Sequence, residues 1–300
     1  MILSFDNIAK SYGDHRVLDG ISVSASGGKA CGLLGRNGAG KTTAIRILTG
    51  VLPADSGRIL VDGSPVDYKT LRFGYLPEER GLYPKKNVID QLVYFARLKG
   101  MDKLSAVKSC DAWLSRLGMT EFRDRKLETL SKGNQQKIQL ITALSHDPEV
   151  IILDEPFSGL DPVNAGLLSD VVTEQIGKGK IVFFSSHQMN YIEEFCEDIA
   201  VLRAGKISIS GSIREIKRSY PRNRLEISGA DVRRVAAQYG DGCVITSDDT
   251  AILKLDDPED KRETMKALAE RYDLDTIKVA EPTLADIFVE YADSDSEVKK

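Results

Sequence analysis

The stretch LLGRNGAGKTT, from Leu33 to Thr43, decides the reading of this chain. Three glycines (Gly35, Gly38 and Gly40) fall within six residues. Glycine loses more backbone freedom on folding than any other residue, so such a cluster implies that something approaches the backbone closely. Upstream, KACGLLG (Lys29–Gly35) is an apolar run that reads as a buried strand. Downstream, TTAIRILTG reads as a helix that stops at Gly50. Between them, Gly35, Gly40, Lys41 and Thr42 complete the spacing G-x-x-x-x-G-K-[ST]. In that geometry backbone N–H groups wrap a phosphate and the helix N-terminus adds partial positive charge. Lys41 then reaches the β- and γ-phosphates, and the Thr42 hydroxyl ligates Mg²⁺.

Length and composition set the frame. Three hundred residues suit one large domain or two ordinary ones. The hydrophobic share of 42% and the charged share of 29% are those of a globular protein. A net charge of −4 argues against nucleic acid as the main partner. Cys31, Cys110, Cys196 and Cys243 are scattered without a CxxC pair, which fits reduced thiols better than a disulfide framework or a zinc site. The opening MILSFDNIAK lacks the charged and apolar regions of a signal peptide. Apolar runs fall short of the roughly 20 residues that span a bilayer, so a membrane role is expected to pass through a partner.

Further along, ILSFDNI, GRILVDG and RFGYLP read as strands. The stretch from about Asn87 to Leu117 reads as helical, with Val88, Leu92, Val93, Phe95 and Leu98 on an amphipathic face. Another helix is expected after LSKGNQQ, running to about His146. The runs EVIILDEP and KIVFFSSH suit central parallel strands buried on both faces, joined by right-handed crossovers. A strand pair, DIAVLRAGKISISG, closes this part near Gly211. The basic segment IREIKRSYPRNR then marks a boundary and reads as a solvated helix plus a turn. Beyond it the order β, α, ββ, α, β, α suggests a small ferredoxin-like sandwich, and DSDSEVKK reads as a frayed tail.

A second constellation stands at the end of VIILDEP. Ligands of open α/β sheets gather at the carboxyl ends of strands. Asp154 is there to hold Mg²⁺, and Glu155 to polarise a water for in-line attack on a γ-phosphate. His187 ends the next strand; alone it reads as a polar strand terminus, and with the rest as a γ-phosphate or water contact.

GRNGAGKT, LSKGNQQ (Leu130–Gln136), VIILDEP, SGLD (Ser158–Asp161) and His187, in this order, resemble the ATP-binding subunit of an ABC transporter over about residues 2 to 215. YLPEERGLYP, LSKGNQQK and EPTLADIF together resemble an exporter branch that includes sodium-extrusion and drug-resistance ATPases. The resemblance implies a P-loop NTPase core of α/β class with antiparallel β and helical subdomains, followed by the small α+β domain. The expected boundaries are 1–211 for the ATP-binding domain (helical part about 79–147), 212–222 for a linker, 223–292 for the accessory domain and 293–300 for a tail.

The resemblance also assigns roles. Gly35, Asn37, Gly38, Ala39, Gly40, Lys41, Thr42 and Thr43 would bind ATP, and Tyr12 would stack on its adenine. Ser131, Gly133 and Asp161 would act across a head-to-tail homodimer, reaching or sensing the nucleotide held by the opposite copy. Thr42, Asp154 and Glu78 would ligate Mg²⁺. Two departures from the family pattern stand out. Lys132 and Asn134 replace a glycine and a glutamine of the usual signature, and Glu78 stands where a glutamine is usual. The expected function is ATP hydrolysis by Lys41, Glu155 and His187, coupled to export by a membrane-spanning permease that docks on the insert around RGLYPKK. The location would be the cytoplasmic face of the membrane. A soluble ABC ATPase acting on ribosomes or DNA, and a non-hydrolysing nucleotide-binding regulator, stand as alternatives.

Overall fold

The computed structural model describes residues 1–79, 81–186 and 188–293. The chain divides into two compact units, Met1–Ser212 and a second from Ile213 onward. In the first unit, β1 (Ile2–Tyr12), β2 (His15–Ser26), β4 (Ser56–Val61) and β5 (Ser64–Pro65) form an antiparallel sheet in the order β2-β1-β4-β5. A second sheet is built from β3 (Ala30–Leu34), β6 (Phe73–Leu76), β7 (Val150–Asp154), β8 (Ile181–Ser185), β9 (Asp198–Arg203) and β10 (Lys206–Ser212). Its order is β10-β9-β3-β8-β7-β6, parallel except for the edge strand β10.

The reason for this layout is in the strands themselves. β3, β7 and β8 are five-residue runs with every residue buried, as parallel strands covered on both faces require. The ring of Phe5 on β1 meets that of Phe183 on β8 edge-on at 6.0 Å, which packs one sheet on the other. α1 (Lys41–Leu48) follows β3, α5 (Pro162–Gly177) precedes β8, and α6 (Met189–Phe195) precedes β9. β9 turns into β10 through Ala204 and Gly205, both left-handed at φ 45° and 78°, as a two-residue hairpin demands.

The insert contains α2 (Val88–Leu98), α3 (Lys103–Arg116) and α4 (Lys132–Leu144). The helical stretch expected from Asn87 to Leu117 is thus two helices. Gly100 takes φ 93° and Asp102 caps α3 by accepting from Ser105 N–H at 3.0 Å. Leu98, expected on the inward face, is 65% exposed, because α2 ends there. α4 starts inside the LSKGNQQ motif, with Ser131 as its cap. This helix lies tightly on β6: a Cβ on Gly74 would sit 2.3 Å from the Ala143 carbonyl oxygen. All four cysteines are free and buried. Among the described residues no helix is long and apolar enough to cross a membrane.

The second unit opens with α7 (Ile213–Ser219), within the stretch expected as a linker. It continues with β11 (Arg224–Ser228), α8 (Val232–Tyr239), β12 (Cys243–Ser247), β13 (Thr250–Lys254), α9 (Lys261–Arg271), β14 (Thr276–Val279) and α10 (Leu284–Asp293). The sheet order β12-β13-β11-β14, antiparallel at every pairing, is the split β-α-β arrangement of ferredoxin-like folds. Leu225, Ile227, Val235, Leu253 and Leu268 form its core. Residues 294–300, expected as a tail, lie outside the described residues.

His146, just beyond α4, is buried with its Nε2 3.1 Å from the Phe73 carbonyl oxygen of β6. Burial first, then Lys99, Arg72 and Lys180, push its pKa from 6.5 down to about 4 against the raising effect of the Phe73 carbonyl. The folded state therefore holds a neutral imidazole where the unfolded chain takes up a proton. Stability is present above pH 6.5 and is lost as pH falls toward 4. His146→Gln is expected to flatten this acid limb, whose full depth is about 3 kcal/mol. Thermal midpoints of both proteins across this range check it; equal slopes would contradict it.

Candidate active site

The loop between β3 and α1 is shaped by what its glycines touch. A Cβ on Gly35 would lie 2.5 Å from the Leu202 carbonyl oxygen of β9. Gly40, at φ 106°, caps α1, and a Cβ there would meet the Leu18 side chain at 2.8 Å and the Val17 carbonyl at 3.0 Å. No side chain caps α1, so its first-turn N–H groups face the loop. Gly38 is left-handed at φ 81° and exposed beside Asn37, while Ala39 is buried. Thr42 is exposed and Thr43 half-buried at the start of α1.

Lys41 folds back over this loop, donating from Nζ to the Gly35 carbonyl at 2.6 Å and the Arg36 carbonyl at 3.3 Å. Burial lowers its pKa; the carboxylates of Glu155, Asp154 and Glu78 oppose that shift. One ammonium thus shares its surroundings with three carboxylates drawn from two strand ends. Asp154 and Glu155 are only 6% and 8% exposed, whereas Glu78 is exposed. The Asp154 pKa is raised by burial and by Glu78 and Glu155, with Lys41 pulling the other way. The Tyr75 hydroxyl on β6 donates to Asp154 Oδ2 at 3.4 Å, and burial followed by the Asp154 charge raises the phenol's pKa.

Glu155 sits at φ 49°, a left-handed conformation uncommon for a residue with a side chain. Its N–H donates to the Ser185 carbonyl at 2.8 Å, and the Ser186 hydroxyl donates to its Oε2 at 3.1 Å. Sequence reading missed Tyr75 and Ser186. Both sit at the carboxyl ends of strands beside β7, a position that becomes visible only once the strand order is known.

The structure therefore gathers the loop glycines, Lys41, Asp154, Glu155 and Glu78. Tyr12 lies at the tip of the β1–β2 hairpin, paired with His15 and 49% exposed. Val17 and Leu18, which touch Gly40, follow His15 by two and three residues, about 7–10 Å along the strand. Ser131, Gly133 and Asp161 collect elsewhere, where α4 and α5 begin. Ser131 accepts from Asn134 N–H at 3.3 Å, Asp161 accepts from Asn164 N–H at 3.0 Å, and Gly133 lies against Asn164 and Leu160. His187 lies outside the described residues.

A family model described as ABC transporter matches residues 18–158, and one for the C-terminal domain of DrrA1-3-like ATP-binding proteins matches residues 211–292. The chain is 44% identical over 291 residues to the uncharacterized ABC transporter ATP-binding protein YhaQ of Bacillus subtilis, a match spanning 96% of this chain and 98% of the relative. The chain belongs to the ABC transporter ATP-binding family. This ABC cassette is also 34% identical to the linearmycin resistance ATP-binding protein LnrL of Bacillus subtilis, over 70% of this chain and 69% of that one. The solved structure of an ATP-binding subunit of an ABC transporter superposes with a TM-score of 0.67 at 26% identity, covering 73% of this chain and 92% of the other. The first unit thus has the ABC ATPase fold, and the family is one of ATP-hydrolysing cassettes.

The raised pKa of Asp154 means that its environment disfavours the charge. The cost is present when the side chain is ionised and disappears as pH falls and the carboxyl is protonated. Asp154→Asn is expected to raise the thermal midpoint of the nucleotide-free cassette at neutral pH, with the gain shrinking in acid. An unchanged or lowered midpoint in differential scanning calorimetry would contradict this.

Proposed function

We propose that this cassette hydrolyses ATP at an interface between two head-to-tail copies and drives a membrane-spanning permease that exports its substrate. One observation carries the reading: Lys41, folded back onto the glycine loop, shares its surroundings with Asp154, Glu155 and Glu78. The amides of Gly35 to Gly40 and of the first turn of α1 cradle the phosphates, with Asn37, Gly38, Ala39 and Thr43 lining the loop. Lys41 exchanges its contacts with the Gly35 and Arg36 carbonyls for the β- and γ-phosphates. Tyr12 offers its exposed ring to the adenine.

The donor set suits Mg²⁺: the Thr42 hydroxyl and the carboxylates of Asp154 and Glu78 are hard oxygens, and this ion takes one or two carboxylates with the substrate's own phosphates. An Mg²⁺ ion held by these residues would supply positive charge to offset that developing on the phosphates. Tyr75 holds one oxygen of Asp154 in place. Glu155 takes the proton of the attacking water. Ser131, Gly133 and Asp161 of the second copy complete the site. Their grouping at the α4–α5 end, with partners on those helices, supports a site divided between copies. His187 keeps its expected role beside the γ-phosphate.

Outward transport is supported by a relative named for Nod factor export, 33% identical over 70% of this chain. Docking of the permease at the insert is supported by exposed aromatic surface. Tyr83, 51% exposed, stacks on Phe95 at 5.9 Å, and Tyr94, 50% exposed, lies edge-on to it at 5.5 Å.

Glu155→Gln is expected to lower turnover by at least about 100-fold, keep ATP binding and give an ATP-dependent dimer by light scattering. Turnover at the wild-type rate would overturn the assignment of Glu155.

A further inference from the structure

Ser186 follows the last residue of β8 and is 3% exposed. Its hydroxyl makes two contacts with different chain segments. It donates to Glu155 Oε2 at 3.1 Å and accepts from the Gln188 N–H at 3.0 Å. A serine hydroxyl carries one proton. With the Gln188 N–H already pointing at the oxygen, that proton is directed to the carboxylate. The neighbouring residue completes the grip, since the Ser185 carbonyl accepts the Glu155 N–H at 2.8 Å. Two successive residues of β8 and its exit thus hold both the backbone and the carboxylate of a residue at φ 49°.

The Gln188 N–H belongs to the cap of α6, and α6 is itself fixed to the loop that carries Glu155. Phe157 stacks on Tyr191 of α6 with ring centroids 3.8 Å apart and 14° between planes. It also stacks on Phe195 at 5.6 Å, and Phe195 lies 5.9 Å from Phe184 of β8. The two partners of the Ser186 hydroxyl, on the Glu155 loop and at the start of α6, are thus joined to each other by packed aromatic rings.

We propose that Ser186 is a positioning residue: its hydroxyl sets the rotation of the Glu155 carboxylate and ties it to the start of α6. The proposal rests on the reading of Glu155 as the base. It assigns no nucleotide contact to Ser186, so its loss acts on the rate of the bound complex and leaves ATP affinity alone.

Three substitutions separate hydroxyl from shape. Ser186→Ala removes the donor. Ser186→Val and Ser186→Thr fill the same volume, and only threonine keeps the hydroxyl. The expected result is a kcat lowered about tenfold or more in the alanine and valine variants, with KM for ATP within about twofold. Threonine restores kcat to within about threefold of wild type. In a Glu155→Gln background, Ser186→Ala lowers residual turnover no further, because the two side chains act as a unit. Equal rates for the valine and threonine variants would overturn the proposal, as would an alanine effect of the same size in the Glu155→Gln background. Should Glu155→Gln itself turn over at the wild-type rate, the base reading fails. Should it be inactive while the alanine and valine variants match wild type, only the role of Ser186 fails.

Discussion

The ammonium of Lys41, held 2.6 Å from the Gly35 carbonyl and surrounded by Asp154, Glu155 and Glu78, is the interaction on which the rest of the structure depends. Three carboxylates and one ammonium leave the group with excess negative charge, and two of those carboxylates are almost fully buried. Buried charge destabilises a fold unless it is compensated. The opposite shifts of Lys41 and Asp154, one lowered and one raised mainly by burial, are the signature of that cost. The arrangement is retained because the strand order β3-β8-β7-β6 brings the carboxyl ends of four parallel strands to one edge. Each end delivers one part: the loop and Lys41, the Ser185–Ser186 grip, the Asp154–Glu155 pair, and Tyr75 with Glu78 beyond it.

The α4 helix links this edge to the insert. Gln136 donates from Nε2 to the Pro156 carbonyl at 3.3 Å, directly after Glu155. One turn on, Gln139 donates to the Pro77 and Glu79 carbonyls, each at 3.0 Å, on either side of Glu78. A single helix capped by Ser131, with Gly133 in its first turn, thus grips both loops that supply carboxylates. Under the proposed function, a push on the exposed aromatic surface of α2 would reach these loops through α4, which packs on α2.

Much of this was legible in the sequence because it is local. The glycine spacing of LLGRNGAGKTT can be read without knowing any partner, and VIILDEP and IVFFSS announce buried strands by composition alone. The order of elements in the second unit likewise gave its sheet. What stayed hidden depends on register between distant segments. Tyr75 and Asp154 are 79 positions apart, and Ser186 and Glu155 are 31 apart, so neither bond leaves a periodic trace. The left-handed backbone of Glu155 goes against the residue's intrinsic preference and is accompanied by the bond to the Ser185 carbonyl, 30 positions away. The exposure of Leu98 was missed for a related reason: a helical stripe shows which residues share a face but not where the helix stops.

If the excess negative charge at the strand ends is the organising feature, a triphosphate should be unwelcome without a cation to bridge it. The most direct measurement is the ATP affinity of the unmodified chain by calorimetry, in Mg²⁺ and in EDTA. The account predicts binding weaker by about tenfold or more in EDTA, with that difference largely removed in Asp154→Asn. Equal affinity with and without Mg²⁺ in the unmodified chain would contradict it.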